Sequence, residues 1–219
     1  MSSAKHLRTV PAVYKTTQTV LFIFYKLFFG LKAYGRQNIP ADGRGIIFAS
    51  NHASFLDPPI FGVTVKKHIA YLAKDYLYKP FLFGSIMHWL GTLPIKSDSN
   101  SQDFRTVRDL LRVLSDGEGI VMFPEGTRTA DGEFQKPEGG VGFLAMKSKA
   151  WVMPVYIKGT YEAFPRHRKF FRCHPVTITY GKPFIPAEDP AFKGRHDPYL
   201  AVAEKIMEEI KKIKDSGQQ

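Results

Sequence analysis

The chain has 219 residues, enough for one domain with a sizeable core and tight for two. Its single cysteine, Cys173, excludes an internal disulfide and any cysteine-based metal site, and suits a reducing compartment. Thirty-one Lys and Arg against 20 Asp and Glu give a net charge of +11, which points to an anionic partner.

Residues 20–31 read Val-Leu-Phe-Ile-Phe-Tyr-Lys-Leu-Phe-Phe-Gly-Leu. This run falls short of the roughly 20 apolar residues of a spanning helix, and Lys26 interrupts it. The following Lys32-Ala33-Tyr34-Gly35-Arg36 is a poor signal-peptide cleavage site. The pattern predicts an amphipathic helix over residues 13–34. In one reading Lys15, Lys26 and Lys32 snorkel while the Phe cluster enters a membrane headgroup boundary. In the other the helix packs on the domain's own core. The expected division is an N-terminal membrane-interface helix over residues 1–35 and one globular domain over residues 36–219.

From Gly45 onward short β-rich runs alternate with helical patterns. Strands are predicted over residues 45–50, 69–73, 119–123, 151–157 and 176–180. Helices are predicted over 58–67, 80–90, 103–115, 139–149 and 199–214. In the 103–115 segment Phe104, Val107, Leu110, Leu111 and Leu114 recur at helical spacing. This alternation argues for an α/β fold: a mostly parallel central sheet flanked by helices. Residues 129–140, rich in Gly with Pro137, read as a long surface loop of the kind that is often functional. The basic stretch Arg166-His167-Arg168-Lys169, with Arg172, is interleaved with Phe164, Phe170 and Phe171. It suits lipid headgroups or bases, or a solvated loop.

Two polar clusters follow apolar strands. The first is Asn51-His52-Ala53-Ser54-Phe55-Leu56-Asp57; the second is Phe123-Pro124-Glu125-Gly126-Thr127-Arg128. Ligands of open α/β sheets bind beyond the carboxyl ends of the strands, so parallel strands bring both clusters to one edge. His52 is suited to proton transfer near neutral pH, and a carboxylate on its far ring nitrogen fixes the tautomer. On an ideal helix, His52 and Asp57 diverge by about 140°, so the pair meets only across a turn. Pro58 biases Asp57 away from helical conformation, which places Asp57 before the helix. The competing reading makes Asp57 the cap of that helix and His52 an ordinary loop residue. Ser54 reads as a turn or helix-start residue, so a nucleophile would come from the substrate. In the second cluster Gly126 permits a tight turn and Arg128 offers a bidentate grip on phosphate. Glu125 either holds Arg128 or meets an acceptor hydroxyl. Lys74 follows the second strand, towards the same edge.

Together these residues resemble the glycerophospholipid acyltransferase family, typified by 1-acylglycerol-3-phosphate acyltransferases. Its Asn-His-x-Ser-x-x-Asp block is matched by Asn51, His52, Ser54 and Asp57, and its Phe-Pro-Glu-Gly-Thr-Arg block by residues 123–128. Its Val-Pro-Val type strand is matched by Val152-Met153-Pro154-Val155. The family's second block departs here, with Lys96 after Gly91-Thr92-Leu93-Pro94-Ile95 where the family carries Arg. Lys74 matches a position of a phosphate-facing lysine.

The resemblance implies that His52 and Asp57 are catalytic. It implies that Lys74, Lys96, Glu125, Gly126, Thr127 and Arg128 bind the substrate. The implied reaction moves an acyl chain from acyl-CoA or acyl-carrier protein to a lysophospholipid acceptor, 1-acylglycerol-3-phosphate by default, without an acyl-enzyme. No metal or cofactor is expected, and no nucleic acid. The expected setting is the cytoplasmic face of a membrane carrying anionic lipid, with the chain held peripherally or monotopically. The 81–90 segment would also meet the bilayer.

Overall fold

The run after Gly45 is apolar up to Ser50, the pattern of a strand covered on both faces. It forms β2 (Ile46–Ser50), and all five residues are buried. The computed structural model describes residues 11–74, 92–95 and 104–217. Five further strands join β2: β1 (Lys32–Tyr34), β3 (Ile69–Ala70), β6 (Gly119–Met122), β7 (Trp151–Lys158) and β8 (Thr177–Tyr180). Their order is β1-β8-β7-β2-β6-β3. The four strands β7, β2, β6 and β3 are mutually parallel. β8 runs antiparallel to β7, and β1 runs parallel to β8. The expected mostly parallel sheet is therefore observed.

Alternation along β2 divides the core. Ile47 and Ala49 join the cluster under α3 (Phe104–Ser115), α4 (Gly140–Ser148) and α6 (Pro198–Asp215). Ile46 and Phe48 face the opposite cluster, with α1 (Pro11–Phe29) and α2 (Asp57–Thr64). Tyr25 and Phe29 of α1 are fully buried there, each contributing about 1.5–3 kcal/mol of apolar burial. The other side of α1 leaves Val20, Phe22, Ile23, Leu27 and Phe28 exposed. One side of the helix thus packs on the domain.

Several boundaries differ from the sequence reading. The N-terminal helix stops at Phe29 rather than at residue 34, because Gly30 adopts a left-handed φ of 54°. The chain then enters β1, whose ladder to β8 absorbs Lys32, Ala33 and Tyr34. The strand predicted over 69–73 splits. β3 ends at Ala70, and β4 (Leu72–Lys74) pairs with β5 (Leu93–Ile95) in a separate two-stranded sheet. The break is Tyr71, whose carbonyl turns to accept from the Leu93 N–H at 2.7 Å. A short α5 (Thr160–Ala163) after β7 has no counterpart in the sequence reading. The predicted 80–90 helix lies outside the described residues.

Candidate active site

The parallel ladder between β2 and β6 sets Ala49 opposite Met122, so the two polar clusters leave the sheet at one edge. They are bound to each other directly. The His52 N–H donates to Glu125 Oε1 at 2.9 Å, and the Thr129 N–H donates to the His52 carbonyl at 2.9 Å.

His52 Nδ1 lies 2.8 Å from Asp57 Oδ2. The same oxygen accepts the Ala53 and Ser54 N–H groups, each at 2.7 Å. An oxygen that accepts two backbone protons draws a third from Nδ1, so Nδ1 is the protonated nitrogen and Nε2 keeps its lone pair. Nε2 has no hydrogen bond among the described residues. Asp57 is fully buried, whereas the His52 side chain is 16% exposed; the pair is open to substrate on the imidazole side alone. The ring stacks on Phe123, with centroids 3.8 Å apart and planes 13° apart. That contact and the Asp57 bond together fix its orientation.

The pair meets across the turn closed by Asp57 N–H to the Ser54 carbonyl. Asp57 nevertheless begins α2 rather than preceding it, one residue earlier than Pro58 suggested. Pro58 and Pro59 sit in the first turn, where their missing N–H groups cost no helical bond. The capping alternative does not hold: Leu56 is the cap residue, and no side chain caps this helix. Ser54 serves the turn, accepting from the Leu56 N–H and donating to the Phe164 carbonyl.

Glu125 acts as a strut between the two clusters. Its two oxygens accept from His52 N–H and Gln135 N–H, and its residue is buried. Burial pushes its carboxyl above the ordinary value, a rise the Gln135 and His52 N–H groups partly offset. Gly126 has φ 67°, and a Cβ there would meet the Glu138 carboxylate at 2.7 Å. Thr127 is exposed. The Arg128 guanidinium carbon sits 3.5 Å from the centroid of the Phe55 ring. Lys74 ends β4 in register with Ile95 of β5, in the small sheet and not the main one; Lys96 lies outside the described residues.

Three supports carried no role in the sequence reading. Asn51 uses its amide as a two-way clamp on Ile157, donating to its carbonyl at 2.9 Å and accepting its N–H at 2.8 Å. Phe123 is the stacking partner of His52. Tyr25 of α1 donates to the Leu56 carbonyl at 2.7 Å, inside the turn between His52 and Asp57. Burial, with the Asp57 charge adding to it, pushes the Tyr25 phenol far up, so it stays a donor. An Asn directly after a buried strand was the one available signal for the clamp; the other two contacts are tertiary.

Fold and edge together define an α/β enzyme whose working groups stand on two parallel strand ends. The sequence profile described as "Acyltransferase" matches residues 30–158, more than half of the chain. The chain belongs to that acyltransferase family. It is 26% identical over 204 residues to the 1-acyl-sn-glycerol-3-phosphate acyltransferase of Bacillus subtilis, covering 93% of this chain and 98% of that protein. It is 26% identical over 145 residues to the chloroplastic 1-acyl-sn-glycerol-3-phosphate acyltransferase LPAT1 of Arabidopsis thaliana, covering 66% of this chain and 39% of that longer one. The fold is shared with the crystal structure of PlsC, the 1-acyl-sn-glycerophosphate acyltransferase of Thermotoga maritima. There the TM-score is 0.75 at 24% identity, over 95% of this chain and 80% of that one.

Proposed function

We propose that this chain transfers an acyl group to the sn-2 hydroxyl of 1-acylglycerol-3-phosphate, forming phosphatidic acid. The observation that carries this reading is the imidazole of His52, held by Asp57 through Nδ1 with Nε2 left to accept a proton. Nε2 takes the proton of the acceptor hydroxyl as its oxygen attacks the thioester carbonyl of acyl-CoA or acyl-carrier protein. Asp57 stabilises the imidazolium that forms. The tetrahedral adduct then expels the thiolate as its C–S bond breaks, and the proton on Nε2 passes to sulfur. The acceptor oxygen is itself the nucleophile, so no acyl-enzyme is needed. Arg128, Lys74 and Lys96 supply positive charge for the acceptor phosphate.

The same reading places the chain peripherally on the cytoplasmic face of a membrane, where the lipid acceptor is drawn. Among the described residues no helix is long and apolar enough to cross a membrane. The test is acyl transfer to a panel of lysolipids, with acyl-CoA and acyl-carrier protein as alternative donors. Transfer to 1-acylglycerol-3-phosphate, lost in His52→Ala with folding intact, is the expected result. Near-normal turnover in that variant sinks the mechanism. A clear preference for a lysophospholipid with a larger headgroup would move the acceptor assignment, as Lys96 in place of Arg makes chemically reasonable.

A further inference from the structure

The loop between α5 and β8 is closed at its base, where the Arg172 N–H donates to the Ala163 carbonyl at 2.8 Å. A second bond, from the Arg168 N–H to the Pro165 carbonyl, tightens its turn. The loop therefore presents its tip from a fixed frame. At that tip Phe170 is 83% exposed, and Phe171 is 40% exposed. Phe171 stacks edge-on against Phe24, Phe28 and Phe29 of α1, at 5.5–5.6 Å between centroids. The exposed side of α1 and the loop tip are thus one continuous aromatic surface. A solvated loop would have no reason to hold out a bare Phe beside that cluster.

Charge points to what covers this surface. Residues 1–41 and 164–175 hold ten of the 31 Lys and Arg and none of the 20 Asp and Glu. The rest of the chain is nearly balanced, at 21 basic against 20 acidic residues. The positive excess therefore belongs almost wholly to the two stretches of sequence that include α1 and the 164–172 loop. Around the tip, Arg166, Lys169 and Arg172 are exposed. Aromatics flanked by cations with no carboxylate are the chemistry of an anionic bilayer surface. The loop also begins at Phe164, whose carbonyl receives Ser54 Oγ of the His52 block. The surface therefore adjoins the active site.

We infer that the 164–172 loop is a second membrane-inserting element, acting with α1 as one wedge in a bilayer containing anionic phospholipid. Phe170 and Phe171 enter the acyl boundary, and Arg166, Lys169 and Arg172 lie among the headgroup phosphates. The inference extends the lipid-acceptor reading above, yet it is measured without catalysis.

The test is cosedimentation of the full chain with vesicles of phosphatidylcholine alone or with added phosphatidylglycerol. Phe170 takes part in no ring contact among the described residues, so Phe170→Ser should keep the thermal midpoint. It should weaken partitioning to both vesicles roughly tenfold. Arg166→Gln with Lys169→Gln should weaken binding to the anionic vesicles alone, by roughly fivefold per charge. Phe170→Trp should bind normally, with its added fluorescence quenched by brominated lipid. The loop's role is overturned if either loss variant binds as well as the unmodified chain, or if the bound Trp escapes quenching. In detergent-dispersed lysolipid, Phe170→Ser should turn over normally. A chain that binds as described but transfers no acyl group would keep this surface and refute the proposed reaction instead.

Discussion

Asp57→Asn separates two contributions that ordinary deletion merges. One carboxylate oxygen, Oδ2, receives all three N–H donors, from His52 Nδ1, Ala53 and Ser54. The other, Oδ1, is buried without a partner among the described residues. In the variant the amide oxygen must take the Oδ2 position, because an NH₂ there would face three donors. His52 therefore keeps its tautomer and orientation, and only the charge is lost. Two unit charges about 4 Å apart at an effective dielectric of about 20 interact by about 4 kcal/mol. Losing that stabilisation from the imidazolium predicts a fall in kcat of about 10³-fold.

The stability change should be smaller, about 1–3 kcal/mol, from the NH₂ buried where Oδ1 was. Asp57→Ala should cost more stability than Asn, since it strands the Ala53 and Ser54 N–H groups. The assay follows thiol release from acyl-CoA with 1-acylglycerol-3-phosphate, alongside thermal unfolding of each variant. A folded Asp57→Asn protein with near-normal kcat would refute the electrostatic role. So would a loss of kcat that only tracks the loss of fold across both variants.

Glu125→Gln sets an NH₂ against one of two backbone donors. It should lose about 1–3 kcal/mol of stability together with kcat, through a displaced His52, while the acceptor KM stays near normal. Because the folded Glu125 carboxyl lies above its unfolded value, its ionisation opposes folding. Stability should therefore fall as pH rises from the ordinary carboxylate value through the raised one, and melting curves of the Gln variant across the acid range should lack that slope. Phe55→Ala removes the ring under Arg128; a stacking energy of about 0.5–1 kcal/mol predicts a two- to fivefold rise in acceptor KM, rescued by Trp and not by Leu. Tyr25→Phe deletes the donor to Leu56 and should cost about 1 kcal/mol, or roughly 2–4 °C in melting temperature.

How legible the chain was depended on where the determining contacts lay. β2 and β6 were readable as short continuous apolar runs and α3 by its helical spacing, and the parallel order of the strands follows from their alternation with helices. That alone brings His52 and Glu125 to one edge. β1 was not readable: Lys32, Ala33 and Tyr34 carry no strand pattern, and they become a strand only because Val176 and β8 lie beside them. Nor was the break at Tyr71, which is set by a carbonyl reaching the distant Leu93.

The site divides in the same way. The residues of the candidate site were visible as motif positions, but the contacts that tie them together were not. Glu125, read beside Arg128 as a ligand group, spends both oxygens on backbone N–H groups from His52 and Gln135. Arg128 instead leans on Phe55, a residue of the other block. Each strand-end block thus steadies the working group of the other: Glu125 holds the backbone that carries His52, and Phe55 braces Arg128. Two motifs that look independent in the sequence form one unit. A change at Glu125, in the Arg128 block, should therefore be read in proton transfer, and a change at Phe55, in the His52 block, should be read in acceptor binding.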